Sequence, residues 1–138
     1  MTSRLTRSLV AAELPVLERH GLAMWGYMVL TALDSGPIIS QAALAAAVNA
    51  DKSRLIPVLD ELQDRELIER VPDPADRRVR LLSITPAGHA LRARIQSEIQ
   101  ANEQRILTRL PAADRAALIR SLRVLSALAP DEFLADGL

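Results

Sequence analysis

Apolar residues return at helical spacing through most of this chain, and the breaks between the runs mark its elements. Residues 4 to 19 carry Leu5, Leu9, Ala12 and Val16 on one face, interrupted by Pro15, and His20-Gly21 reads as a stop. Residues 23 to 33, AMWGYMVLTAL, predict a mostly buried helix closed by the turn Asp34-Ser35-Gly36-Pro37. Ile38-Ile39 is an apolar step that predicts a very short strand. Ser40 is a good N-cap for a helix running to about Val48, with Ile39 placed to staple against Leu44. Asn49-Ala50-Asp51 is a tight connection, with Asp51 as the next N-cap. The helix from about Lys52 to Arg65 puts Leu55, Leu59 and Leu62 on one stripe.

The periodicity then changes. Leu67 to Val71 and Val79 to Ile84 read as short strands around a polar hairpin tip, Pro72-Asp73-Pro74-Ala75-Asp76-Arg77-Arg78. Thr85-Pro86 starts another helix, Thr as N-cap and Pro at the first helical position. That helix continues for about 24 residues, roughly 36 Å, with Leu91, Ile95, Ile99, Ile106 and Leu110 among its apolar positions. After Pro111 a last helix shows Leu118, Leu122, Leu125 and Ala129, and Pro130 to Leu138 reads as irregular. The predicted fold is mainly α with a small β-hairpin wing. A winged helix-turn-helix at about 36–88 is flanked by N- and C-terminal dimerisation helices at about 4–20 and 86–129, within a single domain of residues 1–138.

Composition narrows the chemistry. The chain has 138 residues, 49% apolar and 25% charged, without cysteine. Thiolate metal sites, cysteine nucleophiles and thiol redox sensing are therefore excluded. No Gly-rich phosphate loop, H-E-x-x-H or G-x-S-x-G is present, so the reading is of a non-enzyme without a cofactor. No apolar run approaches the roughly 18 residues of a membrane span. The N-terminus carries acids and lacks a long apolar core, unlike a secretory leader. A cytoplasmic protein without membrane contact is expected.

Seventeen basic residues balance seventeen acidic ones, and sixteen of the basic residues are Arg. A nucleic-acid binder would more often be basic overall, so placement has to carry the argument. The helix from Lys52 opens with Lys52, Ser53 and Arg54 and closes with Asp60, Glu61 and Asp64. Such a helix can enter a major groove only by its amino end. A second basic spot lies at the hairpin tip, where Arg77, Arg78 and Arg80 fall within four residues. These are the two places at which a winged helix-turn-helix meets duplex DNA.

Asp73-Pro-Ala-Asp-Arg-Arg-Val-Arg-Leu-Leu-Ser-Ile-Thr-Pro-Ala-Gly88 strongly resembles the wing of the MarR family of bacterial transcription regulators, roughly D-x-R-x-x-x-L-x-L-T-x-x-G. Asp76, Arg78, Leu82 or Leu81, Thr85 and Gly88 fit, with Ile84 in place of the common Leu. Asp51 to Leu62 resembles the family's recognition helix, and the resemblance extends over nearly the whole chain. It implies an obligate homodimer on a palindrome-like operator in double-stranded DNA, acting as a ligand-responsive repressor. It further implies that Arg78 enters the minor groove with Asp76 bracing it, that Ser53, Arg54 and Pro57 face the major groove, and that Gln41 touches phosphate. Two positions depart from the family. Glu66 stands where Gly is common, which makes a left-handed cap costlier, and Pro57 removes a backbone hydrogen bond inside the helix and should kink it. Organic-peroxide sensors of the family carry a comparable Pro, but they rely on a cysteine that this chain lacks.

A dimer also follows from the long helix, whose apolar stripe is more than a winged module of some 60 residues can cover; an intramolecular helical hairpin is the alternative. The family resemblance implies a small aromatic or phenolic effector in a cleft near His20, Met24, Trp25, Tyr27 and Met28. The same side chains also suit plain packing between two helices. His20 and His89 show no metal-ligand spacing. The competing reading is a winged-helix dimerisation or interaction module that does not bind DNA, favoured by zero net charge and the acidic half of the helix from Lys52.

Overall fold

The computed structural model describes residues 2–38 and 40–134. The element order is α1 (Thr2–Arg19), α2 (Met24–Asp34), α3 (Gln41–Val48), α4 (Lys52–Asp64), β1 (Ile68–Pro72), β2 (Arg80–Ile84), α5 (Pro86–Leu107), α6 (Ala112–Ser126) and a short 3-10 turn, Pro130–Phe133. Packing divides the chain into one unit up to Ile99 and another from Gln100 onward.

The first unit is built on the predicted stripes. Leu55, Leu59 and Leu62 of α4 are buried with Leu44, Ala45 and Val48 of α3 and Val29, Leu30 and Leu33 of α2. Leu91, Ile95 and Ile99 of α5 join the same core, as do Val16 and Leu17 of α1. Fully burying a Val, Leu or Ile contributes about 1.5–3 kcal/mol, so this cluster sets the angle of α4 against its neighbours.

Three helices of this unit end in the same way. After α1, α3 and α4 a residue with positive φ reverses the chain: Gly21 (φ 63), Asn49 (φ 54) and Glu66 (φ 58). In each case the following N–H reaches back five residues: Leu22 to the Leu17 carbonyl at 3.0 Å, Ala50 to Ala45 at 2.9 Å, and Leu67 to Leu62 at 2.9 Å. These are Schellman closures, which satisfy carbonyls at the helix end. Asn and Gly adopt this conformation readily. Glu66 does so with a Cβ, so the cost expected from the sequence falls at that residue.

Several helix starts and bounds differ from the sequence expectations. Ser40 caps α3 by accepting the Ala43 N–H at 3.0 Å. Asp51 occupies the N-cap position of α4, but its side chain accepts no capping bond. The α1 helix begins at Thr2 and runs through Pro15, and α4 continues through Pro57. The α5 helix has 22 residues, shorter than expected, and Pro130–Phe133 is a 3-10 turn where irregular chain was predicted. Ile39, assigned to a staple on Leu44, and Leu138 lie outside the described residues.

The wing is a two-stranded antiparallel sheet pairing Ile68 with Ile84 and Pro72 with Arg80. Ile38 adds an isolated bridge: its N–H donates to the Leu82 carbonyl at 3.0 Å and its carbonyl accepts the Leu82 N–H at 2.8 Å. The base of the wing is locked where α5 begins. Thr85 Oγ1 donates to the Glu66 carbonyl at 2.7 Å and accepts the Gly88 N–H at 3.0 Å. Gly88 has no room for a side chain, because a Cβ there would sit 2.0 Å from the Leu67 carbonyl oxygen.

In the second unit Arg115 of α6 donates to the Leu107 carbonyl at 3.1 Å and the Leu110 carbonyl at 3.3 Å, closing the turn between α5 and α6. The α6 helix has no buried residue.

Candidate nucleic-acid interface

The amino-terminal turn of α4 is presented to solvent while its apolar stripe is held inside. Lys52, Ser53, Arg54, Ile56 and Pro57 are exposed, alternating with fully buried Leu55 and Leu59. Arg54, Lys52 and the free amide N–H groups of the first turn put positive charge at this end. Asp60, Glu61 and Asp64 lie at the opposite end of the helix. Gln41, in the first turn of α3, is half-buried.

The wing tip is organised by two aspartates. Asp73 Oδ1 accepts the Ala75 N–H at 2.9 Å, and Asp76 Oδ1 accepts the Arg78 N–H at 3.1 Å. The Asp73 N–H donates to the Val79 carbonyl at 2.9 Å, and the Val79 N–H to Asp76 at 3.0 Å. Asp76 also receives Arg78 Nε at 3.4 Å, while the Arg78 side chain remains 93% exposed. An ion pair this open adds little stability. Its effect is to shape the turn from which Arg78 projects. Arg77 and Arg80 are exposed on either side.

The side chains named from the sequence as effector contacts have these surroundings. Met24, Trp25, Tyr27 and Met28 are partly buried against the core. His20 Nε2 lies 3.2 Å from Glu98 Oε1, within ion-pair reach but without hydrogen-bond alignment. Arg19 donates to Glu98 Oε2 at 3.1 Å. That hydrogen bond, followed by the contact with His20, holds the Glu98 carboxyl below its ordinary pKa. His89 Nδ1 meets Asp34 Oδ1 at 2.5 Å, and Arg92 meets Asp34 Oδ2 at 3.0 Å. Each histidine thus has its own carboxylate. Among the described residues no group of three His, Asp or Glu could hold a metal ion.

Three features escaped the sequence reading: two pairings and a cavity. The Arg54 guanidinium carbon stands 5.7 Å from the centroid of the Trp25 ring, a cation–π contact between α4 and α2. Beside it is a cavity of about 320 Å³ walled by Ala45, Ala46 and Ala50, with Asn49 and Asp51 also lining it. Arg65, at the end of α4, donates to the Gly21 carbonyl at 2.7 Å and the His20 carbonyl at 3.3 Å, tying α4 to the α1–α2 turn. Neither pairing has a spacing signature, since the partners are 29 and 44 or 45 residues apart.

Two helices joined by a tight turn, the second opening beside a two-stranded arm, define a winged helix-turn-helix protein. The model of the MarR family matches residues 26–79, from α2 to the wing tip. Over these residues the chain is similar to MarR-family winged-helix proteins. It is 36% identical over 97 residues to a regulator assigned to the hcr operon of Thauera aromatica, covering 70% of this chain and 58% of that protein. It is also 36% identical over 99 residues to the transcriptional repressor NicR of Pseudomonas putida, covering 70% and 61%. The chain thus spans about three fifths of the length of these relatives. Among solved structures, CouR from Rhodococcus jostii RHA1 bound to p-coumaroyl-CoA aligns with a TM-score of 0.71 at 26% identity, over 96% of this chain and 92% of CouR. The repressor CouR bound to a 23-mer DNA duplex aligns at 0.70 and 27% identity, over 91% and 89%. Among the described residues no helix is long and apolar enough to cross a membrane.

Proposed function

We propose that this chain is a sequence-specific double-stranded DNA-binding transcriptional regulator, acting as a homodimer and repressing from a palindromic operator. The observation that carries the reading is the pair of exposed basic features on one winged module: the Lys52–Arg54 turn of α4 and the Arg77, Arg78, Arg80 tip. In this reading Lys52, Ser53, Arg54 and Pro57 meet the major groove, Gln41 meets phosphate, and Arg78, braced by Asp76, enters the minor groove with Arg77 and Arg80 beside it. The DNA-bound CouR neighbour and the NicR relative support it.

The homodimer is supported by apolar surface that the single chain leaves open. Leu118, Leu122, Val124 and Leu125 of α6 are exposed, as are Leu5, Val10 and Leu14 of α1. A second copy that covers these faces would present two reading helices with the dyad symmetry of a palindrome. A small aromatic or phenolic effector near His20, Met24, Trp25, Tyr27 and Met28 is supported by the p-coumaroyl-CoA complex of CouR. It would weaken binding by changing the spacing of the two reading helices.

The test is a gel shift with footprinting on the DNA upstream of the protein's own coding sequence. Specific retardation that falls steeply with rising salt is expected. Arg78→Ala should weaken retardation and leave the dimer intact by sedimentation. Binding that is absent, or indifferent to salt, would favour an interaction module without DNA.

A further inference from the structure

We propose that Trp25 is a positioning residue for DNA readout: its ring holds the Arg54 guanidinium in a fixed attitude at the mouth of α4. The inference rests on the DNA-binding reading and adds to it a residue on a different helix. Trp25 is the single tryptophan of the chain and is packed partly buried against the core, so its ring is anchored. Arg54 is exposed and stands over that ring at 5.7 Å. Among the described residues Arg54 makes no ion pair with a carboxylate. The tryptophan face is, among the described residues, the contact its guanidinium makes: a cation against a neutral ring.

The geometry of a guanidinium explains what this contact does. The cation–π attraction engages the flat face, whereas all five N–H donors point outward in the plane. An Arg54 held through its face by the ring keeps its donor edge for a base such as guanine, which is read by an in-plane pair of hydrogen bonds. The contact also restricts a long side chain before it meets DNA, so less freedom is lost on binding. Trp25 and Arg54 both line the cavity walled by Ala45, Ala46 and Ala50, which leaves space at the pair. Among the described residues Lys52 and Arg78 have no aromatic platform of this kind, so the effect is specific to the position read by Arg54.

The experiment selects duplexes from a randomised pool with the wild-type protein, then measures affinity for a selected duplex and for its scrambled version. Trp25→Leu should lower the ratio of the two affinities by about two- to fivefold, with binding to scrambled DNA unchanged. Trp25→Phe, which keeps a weaker ring, should fall between. In an Arg54→Ala background, Trp25→Leu should have no further effect, because the group it positions is gone. An equal effect in both backgrounds, or none in either, overturns the inference while leaving DNA binding in place. If the wild type enriches no duplex, the DNA-binding reading fails and this inference fails with it. A measurement without DNA guards against a misfolded Trp25→Leu variant. Arg54→Ala should change the emission of the lone tryptophan in the free protein, and unchanged emission overturns the contact.

Discussion

Replacing Gly88 with alanine should force the wing away from the start of α5. The added methyl would lie 2.0 Å from the Leu67 carbonyl oxygen, 2.9 Å from Ile84 Cγ1 and 3.0 Å from the Leu67 carbonyl carbon. Side-chain carbons do not approach closer than 3.0 Å, so the carbonyl or the helix must retreat by at least 1 Å. The same carbonyl accepts the Thr85 N–H at 3.1 Å, and retreat breaks or bends that bond. Overpacking costs about 1–3 kcal/mol and the hydrogen bond about 1 kcal/mol. Alanine's better helix propensity returns at most ~1 kcal/mol. The net expectation is about 1–4 kcal/mol of destabilisation. Urea unfolding followed by circular dichroism at one fixed protein concentration reads this as a lower midpoint with an unchanged slope. Operator affinity should drop as well, because the wing leaves its angle to α4. A Gly88→Ala protein within 0.5 kcal/mol of wild type would refute the close approach on which the locked wing depends.

Other expectations follow from the same junctions. Glu66→Gly should stabilise by about 0.5–1 kcal/mol, relief of left-handed strain outweighing the added freedom of the unfolded chain; thermal melting checks the sign. Thr85→Ala should cost about 1–2 kcal/mol through loss of the cap and of the bond to the Glu66 carbonyl, and Thr85→Ser should recover most of it in the same urea assay. The Glu98 carboxyl is held below its ordinary pKa by Arg19 first and His20 second. Its contribution is therefore present above the ordinary carboxylate range and is lost as pH falls through the depressed folded value. Melting curves of wild type and Glu98→Gln should converge as pH drops through that window, and a constant gap would refute the assignment.

Local rules were enough for the order of elements. The Leu55, Leu59, Leu62 stripe, the Ser40 and Thr85 caps, the Gly21 and Asn49 turns and the polar tip between two short strand-like runs are each read from neighbours within a few positions. The chain's two basic spots were legible for the same reason, since each is a cluster in sequence. Asp76 beside Arg78 was legible through the resemblance of the wing.

What tertiary packing decided are the contacts between distant residues. Trp25 meets Arg54, Arg65 meets the Gly21 carbonyl, Arg19 meets Glu98, and Asp34 gathers His89 and Arg92. No spacing encodes these pairs, because the angles between helices bring them together and the buried core sets those angles. Packing also brought Trp25 to Arg54 of α4 and His20 to Glu98 of α5. Helical periodicity says which face of a helix is buried, but not which neighbour it is buried against.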